Sequence, residues 1–169
     1  MKTEYENDWF KVIKDESFFY VSENNASNGA VILVVDDEEQ FVFVDIYRTA
    51  QKKNLIECPR GYGEFGETSA QAAMRELLEE TGYRVSSDSI KKLGSVMPNS
   101  AILTSVIDVF LAYVIKEQSS PSLSEVDGLI KVPVDKVSFM VSNGQITDSF
   151  TLSALALFWS SPERESFKS

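Results

Sequence analysis

Apolar positions along the chain change period twice. Over residues 9–58 they form short runs rich in aromatic and β-branched residues, cut by polar turns. Residues 9–13 and 17–21 read as two strands around Asp15-Glu16, a hairpin. Residues 24–29 form a polar connector. Residues 30–35 and 41–47 flank Asp36-Asp37-Glu38-Glu39 and read as an antiparallel pair. Residues 55–58 make a short strand that feeds a glycine-containing loop. The spacing then becomes helical. Ala70, Ala73, Met74, Leu77 and Leu78 form an apolar stripe, which predicts a helix over residues 68–81. Thr68 with Gln71 makes a capping box at its start, and Gly82 stands where a terminating glycine belongs. Residues 91–97 and 104–114 return to strand character. Residues 117–127 are polar and serine-rich, the longest irregular segment and a candidate lid. A strand at 129–132, a short helix at 135–142 ended by Gly144, and a closing helix at 147–160 complete the chain. Strands followed by packed helices predict an α/β fold in one domain over residues 1–169, with residues 1–22 as N-terminal strands.

Composition narrows the chemistry. The formal charge is −10 and the pI is near 4.5. That argues against a nucleic-acid polymer as partner, because phosphate-backbone binding leans on Lys and Arg. A small anionic substrate is compatible, since bound divalent cations would invert the local field. The chain contains no histidine. His-based phosphoryl transfer, Ser-His-Asp hydrolysis and His-ligated metal sites are therefore excluded. Cys58 is the one cysteine, so an intrachain disulfide is excluded too. The first ten residues, MKTEYENDWF, lack the basic and apolar regions of a signal peptide, and no apolar run reaches membrane-spanning length. A cytoplasmic protein without a membrane partner is expected.

The stretch from Gly61 to Tyr83, GYGEFGETSAQAAMRELLEETGY, carries the densest signal. A glycine-rich loop runs into the predicted helix, whose Glu76, Glu79 and Glu80 fall three and four apart and share a face. Like charges at that spacing destabilise a helix unless a cation holds them. Carboxylates with few other ligand types suit Mg²⁺ or Mn²⁺.

These residues match the Nudix box, G-x5-E-x7-R-E-U-x-E-E-x-G-U with U apolar, at Gly61, Glu67, Arg75, Glu76, Glu79, Glu80 and Gly82. Leu77 fills the first apolar slot, and Tyr83 the last, where an aliphatic residue is commoner. The chain thus resembles the Nudix hydrolase superfamily over roughly residues 9–160. The resemblance implies an α/β/α sandwich on a mixed β-sheet. It also implies metal-dependent hydrolysis of X-O-PO2-O-PO2-Y by water. Glu76 and Glu80 would be the metal ligands, with Glu79 in support and the Arg60 carbonyl as a further ligand by analogy. Arg75 would brace the glutamates, and Glu67 would fix the loop.

Other segments resemble the ADP-ribose pyrophosphatase-like group. Asp45-Ile46-Tyr47-Arg48 is similar to its Q-Y-R segment, with Asp45 for the usual Gln. Glu57-Cys58-Pro59-Arg60-Gly61 is similar to its E-x-P-A/R-G run. The resemblance implies that Arg48, Glu57 and Arg60 contact a nucleoside diphosphate sugar. A surface ion pair for Arg48 and a structural role for Glu57 are the alternatives. Pro98, sixteen residues after Gly82, matches a proline of ADP-ribose-directed members. Glu125-Val126-Asp127-Gly128 resembles the acidic loop that supplies a catalytic base. Register favours Asp127, while residue type and loop mobility favour Glu125, with Glu79 next if neither acts. Gly144-Gln145-Ile146-Thr147-Asp148 with Thr151 resembles the family's start of the last helix and reads as a cap. Trp9, Phe10, Phe18, Phe19 and Tyr20 are expected in the core or on a homodimer surface. Two other functions stay open: a nucleoside triphosphate or dinucleoside polyphosphate pyrophosphohydrolase, and a regulator that binds ADP-ribose without cleaving it.

Overall fold

A computed structural model describes residues 1–24, 26–115 and 126–167. Three strands, β1 (Lys2–Glu6), β2 (Phe10–Asp15) and β3 (Phe18–Glu23), form an antiparallel meander. Seven more form a mixed sheet: β4 (Ala30–Asp36), β5 (Gln40–Arg48), β6 (Lys53–Glu57), β7 (Arg60–Gly61), β8 (Ile90–Val96), β9 (Ile107–Val114) and β10 (Gly128–Pro133). Its main path runs β10-β5-β4-β9-β8, with β4 and β9 parallel and the other neighbours antiparallel.

β4 is buried at every position. A strand covered on both faces does not alternate apolar with polar, which is why AVILVV reads as one continuous run. Its side chains nonetheless divide by parity. Val31, Leu33 and Val35 join Phe41, Phe43 and helix α3 (Ser149–Ser160) through Ala154, Leu155 and Phe158. Short helix α2 (Val137–Ser142) adds Val137 to that layer. Ala30, Ile32 and Val34 face helix α1 (Ser69–Thr81) through Ala72, Ala73 and Leu77. The sheet is therefore sandwiched between α1 on one face and α2 and α3 on the other, the α/β/α arrangement expected. Phe158 meets Phe41 edge-on at 5.3 Å, a favourable aromatic geometry.

One topological detail creates the site. β4 and β5 pair only at Val34↔Val42 and Val35↔Phe41. Beyond that point they splay. The far half of β5 pairs with β6, from Val44↔Glu57 to Arg48↔Lys53, while the start of β4 pairs with β7 at Ala30↔Gly61 and Val31↔Arg60. The wedge between them opens into a cavity.

The strands and helices follow the sequence reading closely, with boundaries moved by one to a few residues. Strand β1 and a 3-10 turn at Pro162–Phe167 were not anticipated. Polar β1 has no apolar alternation to announce it; it is exposed throughout and held by pairing with β2. The N-terminal aromatics are not core residues: Trp9 and Phe18 are 69% and 74% exposed. A three-stranded meander has only one neighbour to pack on, so its outer face stays in solvent. Most of the candidate lid at 117–127, Glu125 included, lies outside the described residues; Val126 and Asp127 are inside them.

Candidate active site

Helix α1 begins with the reciprocal capping box its sequence predicts. Thr68 accepts from the Gln71 amide, and Gln71 accepts from the Thr68 amide at 2.9 Å. It ends at Gly82, whose φ of 76° is the left-handed conformation that a side chain disfavours. These caps fix which residues turn toward the sheet. Glu76 follows Ala73 by three positions and Glu80 follows Leu77 by three, so both glutamates ride on the edge of the buried face. They are 8% and 4% exposed. The acidic face is thus folded half under with the apolar stripe rather than left wholly in solvent. Glu79, one position on from Leu78, points outward.

The two buried glutamates meet the main chain of β7. Glu80 accepts the Arg60 amide at 3.1 Å. The Glu76 carboxylate occupies the space where a Gly61 side chain would be: a Cβ there would lie no farther than 2.7 Å from either oxygen. Arg75 organises the rest. It donates to Glu67 at 3.0 and 3.2 Å, to Glu76 at 2.7 Å, to Glu79 at 3.0 Å and to the Tyr62 carbonyl at 2.9 Å. Its bonds to Glu67 above all, with those to Glu76 and Glu79, raise the guanidinium above its already high pKa. Glu67 also accepts the Glu64 amide at 2.8 Å, tying off the loop. One arginine therefore brings Glu67, Glu76 and Glu79 together through charge-assisted bonds.

On the other side of the wedge stands a second array. Glu57, 1% exposed, accepts Arg48 Nε and Nη2 at 2.9 and 2.6 Å and Arg60 Nε and Nη2 at 3.0 and 2.7 Å. Burial pushes this carboxyl up, but the two guanidiniums outweigh it and its pKa ends below the usual value. Glu57 thus grips two arginine side chains. Arg48 belongs to this ion pair and also lines the cavity. Arg60 lies over the Phe150 ring at 4.3 Å and reaches Asp148 at 3.4 Å.

Arg48, Arg60, Gly61, Tyr62, Ala30, Ile107 and Phe150 line a cavity of about 360 Å³. Pro98 is in the turn after β8 and is not among its lining residues. Asp127, exposed beside the end of β10, donates its amide to the Asp45 carbonyl and accepts from Asn54 at 2.9 Å. Cys58 is fully buried, which pushes its thiol pKa up, and its amide donates to Thr151 at 2.9 Å. Asp148 caps α3 by accepting the Thr151 amide at 2.8 Å.

The donor chemistry at β7 suits a hard divalent cation: two buried carboxylates converge on one stretch of main chain that also carries the Arg60 carbonyl. Glu79 is turned to Arg75 instead. Among the described residues, no three His, Cys, Asp or Glu side chains stand together as a metal-binding group. Tyr62, Phe150 and Asp148 were not anticipated as site residues. Tyr62 occupies a variable position of the box, and Phe150 lies inside an apolar helical run, so neither had a distinguishing signal.

Residues 26–150 match the NUDIX domain family model, and the chain belongs to that family. It is a Nudix pyrophosphohydrolase. It is 30% identical over 131 residues to the methanol dehydrogenase activator of Bacillus methanolicus, covering 75% of this chain and 70% of that protein. It is 28% identical over 131 residues to the ADP-ribose pyrophosphatase of Bacillus subtilis (strain 168), with the same coverage. A 42-residue stretch is 52% identical to putative nudix hydrolase 2 of Caenorhabditis elegans, covering 25% of this chain and 19% of that one. No helix among the described residues is long and apolar enough to cross a membrane.

Proposed function

We propose that this chain hydrolyses a nucleoside diphosphate joined to a further moiety, with ADP-ribose as substrate and AMP and ribose 5-phosphate as products. The observation that carries the reading is the joint lining of one cavity by Arg48 and Arg60 beside Gly61, the residue against which Glu76 rests. Two guanidiniums then face the diphosphate, with the Glu76 carboxylate resting on the neighbouring Gly61. Each guanidinium has five N–H donors, so engagement with Glu57 leaves donors for phosphate oxygens. The named activity of the Bacillus subtilis relative supports the choice of ADP-ribose.

Mg²⁺ or Mn²⁺ would be held by Glu76, Glu80 and the Arg60 carbonyl, with Glu79 in support. Such an ion supplies charge neutralisation of the diphosphate and polarisation of the phosphorus under attack. The chain's own residues do the rest. Arg48 and Arg60 orient the diphosphate, Glu57 keeps their planes in place, and Arg75 keeps the glutamates from moving. A water oxygen attacks one phosphorus, the bond from that phosphorus to the bridging oxygen breaks, and a proton passes from the water to Asp127 or Glu125. The exposed Trp9, Phe18 and Phe19 belong, in this reading, to a homodimer interface.

A second reading is a regulator that binds ADP-ribose without cleaving it; a Bacillus methanolicus relative is named as a methanol dehydrogenase activator. Retention of Glu76, Glu79 and Glu80 stands against it. The test is incubation with Mg²⁺ and a panel of ADP-ribose, ADP-glucose, dinucleoside polyphosphates and dNTPs, with products identified. Cleavage of ADP-ribose to AMP and ribose 5-phosphate, lost in excess chelator and reduced about 10²-fold or more in Glu80→Gln, is expected. Higher kcat/KM on dNTPs than on any diphosphate sugar would overturn the substrate assignment.

A further inference from the structure

The N-terminal meander reaches the cavity-lining Tyr62 through the Glu23 carboxylate. Glu23, the last residue of β3, accepts from the Tyr62 hydroxyl and from Ser105 Oγ at 2.6 Å. The same strand end is anchored to the chain before β9. The Val21 amide donates to the Ile102 carbonyl at 2.7 Å, and the Thr104 amide donates to the Val21 carbonyl at 3.1 Å. Glu23 therefore has a fixed base from which to hold Tyr62.

Tyr62 is held at its other end as well, where its carbonyl accepts from Arg75 at 2.9 Å. Between those anchors Tyr62 is 44% exposed and lines the cavity with Ile107 and Ala30, alongside Arg48 and Arg60. The cavity lining thus combines two guanidiniums with two aromatic rings. The Phe150 ring is already covered by Arg60, whereas the Tyr62 ring is pinned without a ring partner among the described contacts.

We infer that Tyr62 is a specificity-determining residue whose ring packs against the base of the bound nucleotide, and that Glu23 is the positioning residue that sets the ring's angle. This deepens the function proposed above and rests on it. It couples the N-terminal meander to substrate choice. A planar base on a fixed aromatic ring gains stacking energy with no ordering of the ring at the moment of binding.

The test is equilibrium binding of AMP and of ribose 5-phosphate, together with kcat and KM on ADP-ribose. Tyr62→Ala should weaken AMP about tenfold, the scale of one base–aromatic stack, and leave ribose 5-phosphate unchanged. KM should rise while kcat holds. Glu23→Ala should reproduce part of the AMP loss, Glu23→Gln should restore it because an acceptor is retained, and Glu23→Ala combined with Tyr62→Phe should be no worse than Glu23→Ala alone. Equal weakening of AMP and ribose 5-phosphate in Tyr62→Ala, or no change in AMP binding, would overturn this inference while leaving hydrolysis intact. No turnover and no AMP binding by the unsubstituted chain would overturn both readings.

Discussion

Gly61 and Glu76 compete for one volume. Any Cβ at position 61 would lie no farther than 2.7 Å from either oxygen of the Glu76 carboxylate, and the glycine thereby lets a helix side chain rest on the main chain of a strand. The obstructing atoms are the end of a flexible side chain, so the fold can yield where the site cannot.

Gly61→Ala should therefore fold, at a cost of about 1–2 kcal/mol, yet lose about 10²-fold in hydrolysis because Glu76 is displaced by an ångström or so. Thermal melting and steady-state kinetics on the same preparation check this. Near-normal turnover would show that the position of the Glu76 carboxylate is not critical.

Glu57 links the site to acid stability. Its folded pKa lies below the ordinary 4.5, so the unfolded state binds the proton more readily. The stability it contributes is fully present above the unfolded value and is lost as pH falls through the lower folded value. Asp36, held by Lys131 at 2.8 Å, also lies below its ordinary 3.8 and adds in the same direction. Urea midpoints should fall between about pH 5 and about pH 2, and Glu57→Gln should flatten that fall. At neutral pH the same change should cost about 2–3 kcal/mol. That is less than for a fully buried pair, because Arg48 and Arg60 both reach solvent.

Asp127 is held by Asn54 rather than left to swing freely. If it takes the proton from attacking water, Asp127→Asn should cut kcat about 10²-fold with KM unchanged, and Asn54→Ala should cut it less. Glu125→Gln should do less than Asp127→Asn. The reverse ranking in kinetics of the three variants would move the base two residues upstream.

Thr151 connects α3 to the strand end that carries the site. Its hydroxyl accepts the buried Cys58 amide and donates to Asp148. Thr151→Val keeps the volume but orphans that amide, and should cost about 1–3 kcal/mol in denaturant unfolding. In the unsubstituted chain, Cys58 should react with a thiol reagent only as fast as the protein opens, since burial both shields it and raises its pKa. A burst of modification in the native state would contradict the buried placement.

What spacing along the chain determined was everything built within a few residues. The Nudix box, the Thr68–Gln71 cap, the Gly82 terminator and the continuous apolar run of β4 all depend on neighbours one turn or one strand apart, and residue order alone states them. Packing decided what spans the chain. Which side of α1 the glutamates fall on depended on how the helix docks, and a helical wheel cannot say that Glu76 and Glu80 go under while Glu79 stays out. Arg48, Glu57 and Arg60 were each candidates from the sequence, but their joining into one array required β5 and β4 to splay and admit β6 and β7. The bond from Glu23 to Tyr62 closes thirty-nine residues of chain. Nothing in either local sequence signals it, because a hydrogen bond between distant segments exists only once tertiary packing has brought a donor and an acceptor within reach.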